Sequence, residues 1–291
     1  MRKFILDTDW WTDCDDAVAI RLLCNAHRNR EVEVLGININ ACMAASVPAL
    51  DVFTRDCGVE LPIGIDHSAD DFWGTPSYQT HLAESGTPQR RNEDVPDGVD
   101  FYWQLLSEAE DCSVEILSIG FTQVLAGVLK RPGGRELVAQ KVKHLWIMAG
   151  KWDEDGGREY NFYKTELTCR SGAELCASWP SPITFLGFEV GESVKTGGEL
   201  PEGDLLKQVM QDHGSPDGRS SWDPMLVLLA ITGSPEEAGY RCVYGRAEVD
   251  PADGSNHFTE DPSGPHRFVV KLREDEYYAA LINARLPLQD R

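Results

Sequence analysis

The chain has 291 residues, 42% of them hydrophobic, enough for a full hydrophobic core and too many for global disorder. Its 27 lysines and arginines face 48 aspartates and glutamates, a net charge of −21; phosphate contacts need clustered cations, so nucleic acid and anionic membrane surfaces are disfavoured as partners and a small neutral or metal-bound ligand is favoured. No stretch reaches the ~18 apolar residues of a membrane span, the N-terminus runs into a strand without an apolar signal segment, and no two of the eight cysteines are spaced as CxxC, so a cytoplasmic chain with reduced, mostly buried thiols is expected.

In chain order, the apolar run 4–6 reads as a first strand and 16–26 as a helix. Strands are expected at 32–39, 61–65, 114–119, 142–148 and 183–186. Helices are expected at 47–57, 99–109, 122–129 and 172–178. Such alternation predicts an α/β fold: an open, mostly parallel Rossmann-like sheet with helices on both faces, in a single domain over 1–291. The last third changes character. Residues 204–212, 224–231 and 275–285 read as helices, and 241–249 with 267–270 as an antiparallel strand pair. A long polar loop rich in glycine and proline is expected at 68–97, the length at which loops are usually functional or mobile.

The most informative stretch follows the first strand. Asp7, Asp9, Asp13, Asp15 and Asp16 place five carboxylates in ten residues. A loop there lies at the carboxyl end of the strand, where open α/β sheets bind ligands. The plain alternative is a helix N-cap cluster, since acidic residues favour a helix start. Five carboxylates exceed what capping needs, and a hard divalent cation with oxygen ligands would relieve their repulsion. Asp7 reads equally well as a structural carboxylate holding its own loop.

Asp7-Thr8-Asp9 followed by Asp15-Asp16-Ala17 resembles the DxDxGxDDAxA signature of the inosine-uridine nucleoside hydrolases. Residues 120–126 (GFTQVLA) resemble the family's GPLTNLA segment, 147–150 (IMAG) its MGG strand end, and 159–162 (EYNF) its E(F/W)N(F/I) motif. Trp222-Asp223-Pro224 stands at the place of its HD(A/P) motif. The resemblance implies the nucleoside hydrolase fold and hydrolysis of the N-glycosidic bond of a ribonucleoside or related riboside through an oxocarbenium-like transition state. It implies a bound Ca²⁺, with Asp9, Asp16, Asp223 and the Thr122 carbonyl as ligands and Asp9 also as general base. By the same resemblance Asp15, Glu159 and Asn161 would contact the ribose, and the protein would be a homo-oligomer, a dimer or tetramer.

Several positions depart from that pattern. The spacer 10–14 (WWTDC) replaces a compact Pro-Gly turn. Asn40 is the best stand-in for a Gly-Asn after the second strand. Trp73, Trp152 and Trp222 are expected to border the pocket, where aromatic stacking is worth about 1–3 kcal/mol per base. Trp222 occupies the place of a histidine that protonates the leaving base, and an indole cannot act as a general acid. Weak activity on inosine is therefore expected, with His81, Tyr163 and Lys164 as possible substitute donors. Two other classes compete. A haloacid-dehalogenase-type, Mg²⁺-dependent phosphatase needs threonine two positions after the second Asp, where Trp11 stands. A non-catalytic Ca²⁺ or sugar-binding protein on the same fold remains compatible with Trp222. An EF-hand is excluded, since its sixth and twelfth loop positions would be Thr12 and Val18.

Overall fold

The computed structural model describes residues 1–11, 13–70 and 77–288. In the first half strands and helices alternate: β1 (Arg2–Thr8), α1 (Asp15–Arg28), β2 (Val32–Ile39), α2 (Ser46–Asp56), β3 (Ile63–Ile65), α3 (Ser77–Glu84), α4 (Gly98–Glu108), β4 (Val114–Ser118), α5 (Gln123–Lys130), α6 (Gly134–Lys141) and β5 (Val142–Met148). The second half adds β6 (Gly157–Arg158), α7 (Tyr160–Tyr163), α8 (Glu166–Ser178), β7 (Ile183–Leu186), α9 (Phe188–Gly191), β8 (Lys195–Thr196), α10 (Leu205–His213), β9 (Arg219–Ser220), α11 (Trp222–Thr232), β10 (Tyr240–Val249), β11 (Ser255–Glu260), β12 (His266–Lys271) and α12 (Asp275–Asn283).

Ten of these strands form one sheet in the order β3-β2-β1-β4-β5-β7-β12-β10-β11-β6, and β8 and β9 form a separate pair. Every pairing from β3 across to β12 is parallel; those of β12 with β10, β10 with β11 and β11 with β6 are antiparallel. Side chains alternate across the strands into two cores. Phe4 and Leu6 of β1 join Leu117 of β4 and Trp146 of β5 in a core with α1, α2, α10 and α11. Ile5, Ile116 and Ile147 point the other way, into a core with α4, α5 and α8. Helices thus cover both faces, as the α/β pattern predicts.

The expected strand positions all carry strands, and β10 and β12 pair as anticipated. Several of the differences fall on polar segments. Residues 77–84, within the expected long loop, form α3. The helix expected at 172–178 starts earlier, because Thr165 and Thr168 exchange side-chain and backbone hydrogen bonds at 2.9 and 3.1 Å and cap α8 there. Helix α6 and strand β11 have too little apolar periodicity to be read from sequence.

The topology fixes where a ligand would go. From β1 the chain moves outward through β2 to β3, then returns to place β4 on the other side of β1. The crevice at the carboxyl ends of β1 and β4 is the switch point of an open α/β sheet.

Candidate active site

The loop leaving β1 lies in that crevice. Asp7 ends the strand inside the fold, where Asn38 Nδ2 donates to Oδ1 at 2.6 Å and Asn40 Nδ2 to Oδ2 at 2.9 Å. Burial lifts its carboxyl to about 7. Asp7 is therefore a structural carboxylate. The chain then turns at Trp10, whose φ of 49° is the left-handed conformation a glycine would ordinarily supply. The Trp10 ring is fully buried against Phe53 and Tyr78, each 5.7 Å away. Packing of this large side chain stands in for the missing glycine turn. Gly120 passes beneath; a Cβ there would lie 2.3 Å from the Asp9 nitrogen.

Asp9, Asp15, Asp16 and Asp223 line one cavity of about 620 Å³ and are each at most 5% exposed. Asp16 Oδ1 accepts from the Thr8 hydroxyl and from Trp10 N at 3.2 Å. Asp9 accepts from Trp11 N at 3.3 Å, and Asp15 from Asp223 N at 3.1 Å. Carboxylate oxygens of Asp15, Asp16 and Asp223 lie within 4.8 Å of one another. Burial first, and then the charge of neighbouring carboxylates, pushes all four far above the usual carboxylate range. Among the described residues none of the four forms an ion pair with lysine or arginine. Hard oxygen donors, crowded and without a cation of their own, are the donor set of a divalent metal.

Asp13, Cys14 and His213 also converge, but they do not fit an ion. Asp13 is already bound by Arg219, at 2.9 Å from Nε to Oδ1 and 2.6 Å from Nη2 to Oδ2. Burial raises the Cys14 thiol, so it stays protonated and packs in the core.

The remaining walls are largely aromatic and basic: Trp11, Tyr160, Tyr163, Phe188 and Trp222, with Lys151, Arg158 and Arg219, and the imidazole of His213. Glu159 and Asn161 also line the cavity. Glu159 caps α7 by accepting from Asn161 N at 3.0 Å and from Gly150 N at 3.1 Å, and burial raises its carboxyl to about 8. Asn161 Nδ2 donates to the Met148 carbonyl at 2.9 Å. The Trp222 indole stacks on Phe188 at 5.3 Å and donates its N–H to the Phe188 carbonyl at 2.8 Å. It forms a wall and has no hydrogen left for a leaving group.

Two expected substrate contacts lie elsewhere. Asn40 is fully buried, and its amide is consumed by Asp7 and by both backbone groups of Phe121, at 2.9 and 3.1 Å. It ties β1 to the β4–α5 turn and cannot reach a ligand. Trp152 packs among Phe185, Phe258 and Phe268, with its N–H on the Ala149 carbonyl at 3.0 Å, so it belongs to the core. Thr122 is not among the lining residues; its carbonyl accepts from Ala126 N at 3.0 Å in the first turn of α5, leaving one lone pair. Of the possible proton donors, His81 pairs with Asp212 at 2.8 Å away from the cavity lining. Lys164 Nζ lies over the Trp11 and Tyr160 rings, at 5.2 and 5.0 Å. Trp73 lies outside the described residues. The sequence reading overlooked His213 and Arg219; the only signal was an arginine three residues before Trp222.

No protein-family model matches the sequence, and no curated protein matches it. Solved structures do. A purine-preferring ribonucleoside hydrolase from Gardnerella vaginalis is 18% identical with a TM-score of 0.75, over 98% of both chains. A plant nucleoside hydrolase is 17% identical, TM-score 0.74, also over 98% of both. The type III effector XopQ, solved with adenosine diphosphate ribose, is 12% identical, TM-score 0.72, over 98% of this chain and 93% of its own. At such identities the likeness is one of fold. The chain is a mostly parallel α/β protein with the nucleoside hydrolase fold.

Proposed function

We propose that the protein is a Ca²⁺-dependent N-ribosyl hydrolase acting on ribonucleosides or related ribosides. The observation that carries this reading is the set of four buried carboxylates, none with a cationic partner among the described residues, at the switch point of a fold shared with nucleoside hydrolases. Asp9, Asp16, Asp223 and the second lone pair of the Thr122 carbonyl would hold the cation. When bound, it would lower the pKa of a water and neutralise the floor.

Asp9 would take the proton of the attacking water. One Asp15 oxygen is held by Asp223 N, leaving the other for a ribose hydroxyl. Asn161 commits its amide hydrogens to Met148 and leaves its oxygen for another hydroxyl. Fixed carboxylates favour the positive charge that builds on the ribosyl ring as the bond to the base stretches. Glu159 would face the 5′ side, and Trp222 and Phe188 would flank the leaving group.

Asp9→Asn keeps the shape and a metal-ligand oxygen but removes the base. Turnover should fall by roughly 10²-fold or more, the scale of general-base loss. Full activity of that variant on a cleaved riboside would remove Asp9 from the role.

A further inference from the structure

Trp222 leaves the proposed reaction without a proton for the base, because its N–H is held by Phe188. Few side chains lining the cavity can give one near neutral pH. Arg219 stays charged and is bound to Asp13. Lys151 is paired to Asp153 and Glu154 at 2.8 and 2.9 Å, which raises its ammonium further. Glu159, although burial lifts its carboxyl to about 8, is held as the cap of α7 with both oxygens on the backbone N–H groups of Asn161 and Gly150. Phenols as a class are far less acidic than an imidazolium. Imidazole is the side chain that ordinarily gives and takes protons in this range.

Resting on the hydrolase reading above, we propose that His213 is the leaving-group acid of this site. His213 is the last residue of α10, and Gly214 follows in the left-handed conformation with φ of 85°, so the chain turns sharply where the imidazole lines the cavity. Its Nδ1 lies 3.0 Å from Ser215 Oγ, and its Nε2 lies 3.8 Å from Asp13 Oδ1. Arg219 grips Asp13 through two nitrogens and lies 5.4 Å from the centroid of the Trp222 ring. His213, Asp13, Arg219 and Trp222 thus make one continuous wall, reaching the position where the resembling family keeps its acid. The His213 side chain is 20% exposed, which gives it a route to solvent.

As the C1′–N bond breaks, its electron pair goes to the base and a ring proton of His213 passes to the base nitrogen. Water adds to C1′ and gives its proton to Asp9. The products are ribose and the neutral base; His213 regains a proton from solvent and Asp9 loses one to it.

The test is the ratio of kcat on inosine to kcat on p-nitrophenyl riboside, whose leaving group departs without protonation. In His213→Gln this ratio should fall by roughly 10²-fold, the scale of general-acid loss. The ratio does not depend on the fraction of correctly folded variant, and His213→Asn should lower it similarly. An unchanged ratio overturns the assignment, as does an equal loss on both substrates, the mark of a merely structural role. A wild type that cleaves the nitrophenyl riboside but not inosine overturns the assignment and leaves the hydrolase reading standing. Cleavage of neither substrate with Ca²⁺ bound overturns both.

Discussion

Buried carboxylates stand at or beyond the two ends of the β1–β4 strand pair, Glu115 at the entering end and the aspartates at the leaving end, and the two ends behave in opposite ways. At the entering end Glu115 is 3% exposed, yet Arg2 binds it at 2.8 Å through Nε, Trp146 donates to it at 2.8 Å, and its carboxyl is held below the usual range. Burial opposes that lowering; the hydrogen bonds and the guanidinium charge overcome it. At the leaving end Asp9, Asp15, Asp16 and Asp223 are equally buried, but among the described residues they take hydrogen bonds from backbone N–H groups, a threonine hydroxyl and one another, none forms an ion pair, and all are raised. Burial is common to both ends. The difference is whether the chain supplies the cation itself. A buried carboxylate that lacks one is costly to keep charged, and on the proposed reading a cation from solution would meet that cost at the leaving end.

The most severe way to break this contrast is to remove a floor carboxylate. Asp16→Ala should abolish the rise in thermal midpoint that Ca²⁺ gives the wild type, and turnover with it. At 100-fold excess over Kd a ligand of the native state adds about 2.7 kcal/mol, so the wild-type shift should be easily measured. A metal-free wild type whose midpoint ignores added Ca²⁺ would sink the metal assignment.

The entering end should respond in the opposite sense. Arg2→Ala strands Glu115 in the sheet and should lower stability by roughly 2–3 kcal/mol without changing the Ca²⁺ response. Because the folded Glu115 carboxyl is lowered, its contribution is present above the ordinary glutamate value. It is lost as pH falls through the folded value, so Arg2→Ala should cost least in acid. Urea titrations from pH 3 to 7 would show this, and a cost independent of pH would contradict the account.

How far this contrast can be read in the sequence depends on what each residue needs to declare itself. The alternating strands and the cluster from Asp7 to Asp16 are periodic or dense, so they stand out, and the sheet and the acidic floor follow from them. Asn40 and Trp152 lie in the right segments, yet a segment does not say which side of the backbone faces the cavity. One is spent on Asp7 and Phe121, the other on an aromatic core. Trp10 takes a conformation that glycine would signal, held there by tertiary packing that no local pattern reveals. His213 ends an ordinary amphipathic helix. It lines the cavity beside Asp13 of the β1–α1 loop, about 200 positions away in sequence, a neighbour no local pattern reveals.

Glu159 gives a subtler probe, because it is raised without belonging to the floor. Its carboxyl stands at about 8 against an ordinary 4.5, chiefly through burial. Between those values the folded chain holds a proton that the unfolded chain has lost. Stability from this group therefore falls as pH rises through that window, by at most about 1.4 kcal/mol per pH unit. Glu159→Gln keeps one acceptor oxygen for the Gly150 and Asn161 N–H groups and removes the titration. Relative to wild type the variant should gain stability as pH rises from 5 to 8 (about the window above). A difference that is flat with pH would mean that Glu159 is ionised in the folded protein.

The smallest effect is expected at Trp222, and it separates a wall from an acid. Trp222→Phe keeps a ring on Phe188 and loses only the N–H that reaches the Phe188 carbonyl. A single neutral hydrogen bond contributes about 1 kcal/mol, so the thermal midpoint should drop by only a few degrees. On the proposed reading the ring would still flank the leaving group, so KM should shift by no more than about fivefold, the equivalent of roughly 1 kcal/mol. The chemical step should not depend on this side chain, because its hydrogen is held by the Phe188 carbonyl. Substitution should therefore leave the preference between inosine and p-nitrophenyl riboside where it is in the wild type. A large, selective loss on inosine in Trp222→Phe would mean that the indole leaves Phe188 and turns toward the base when substrate is bound.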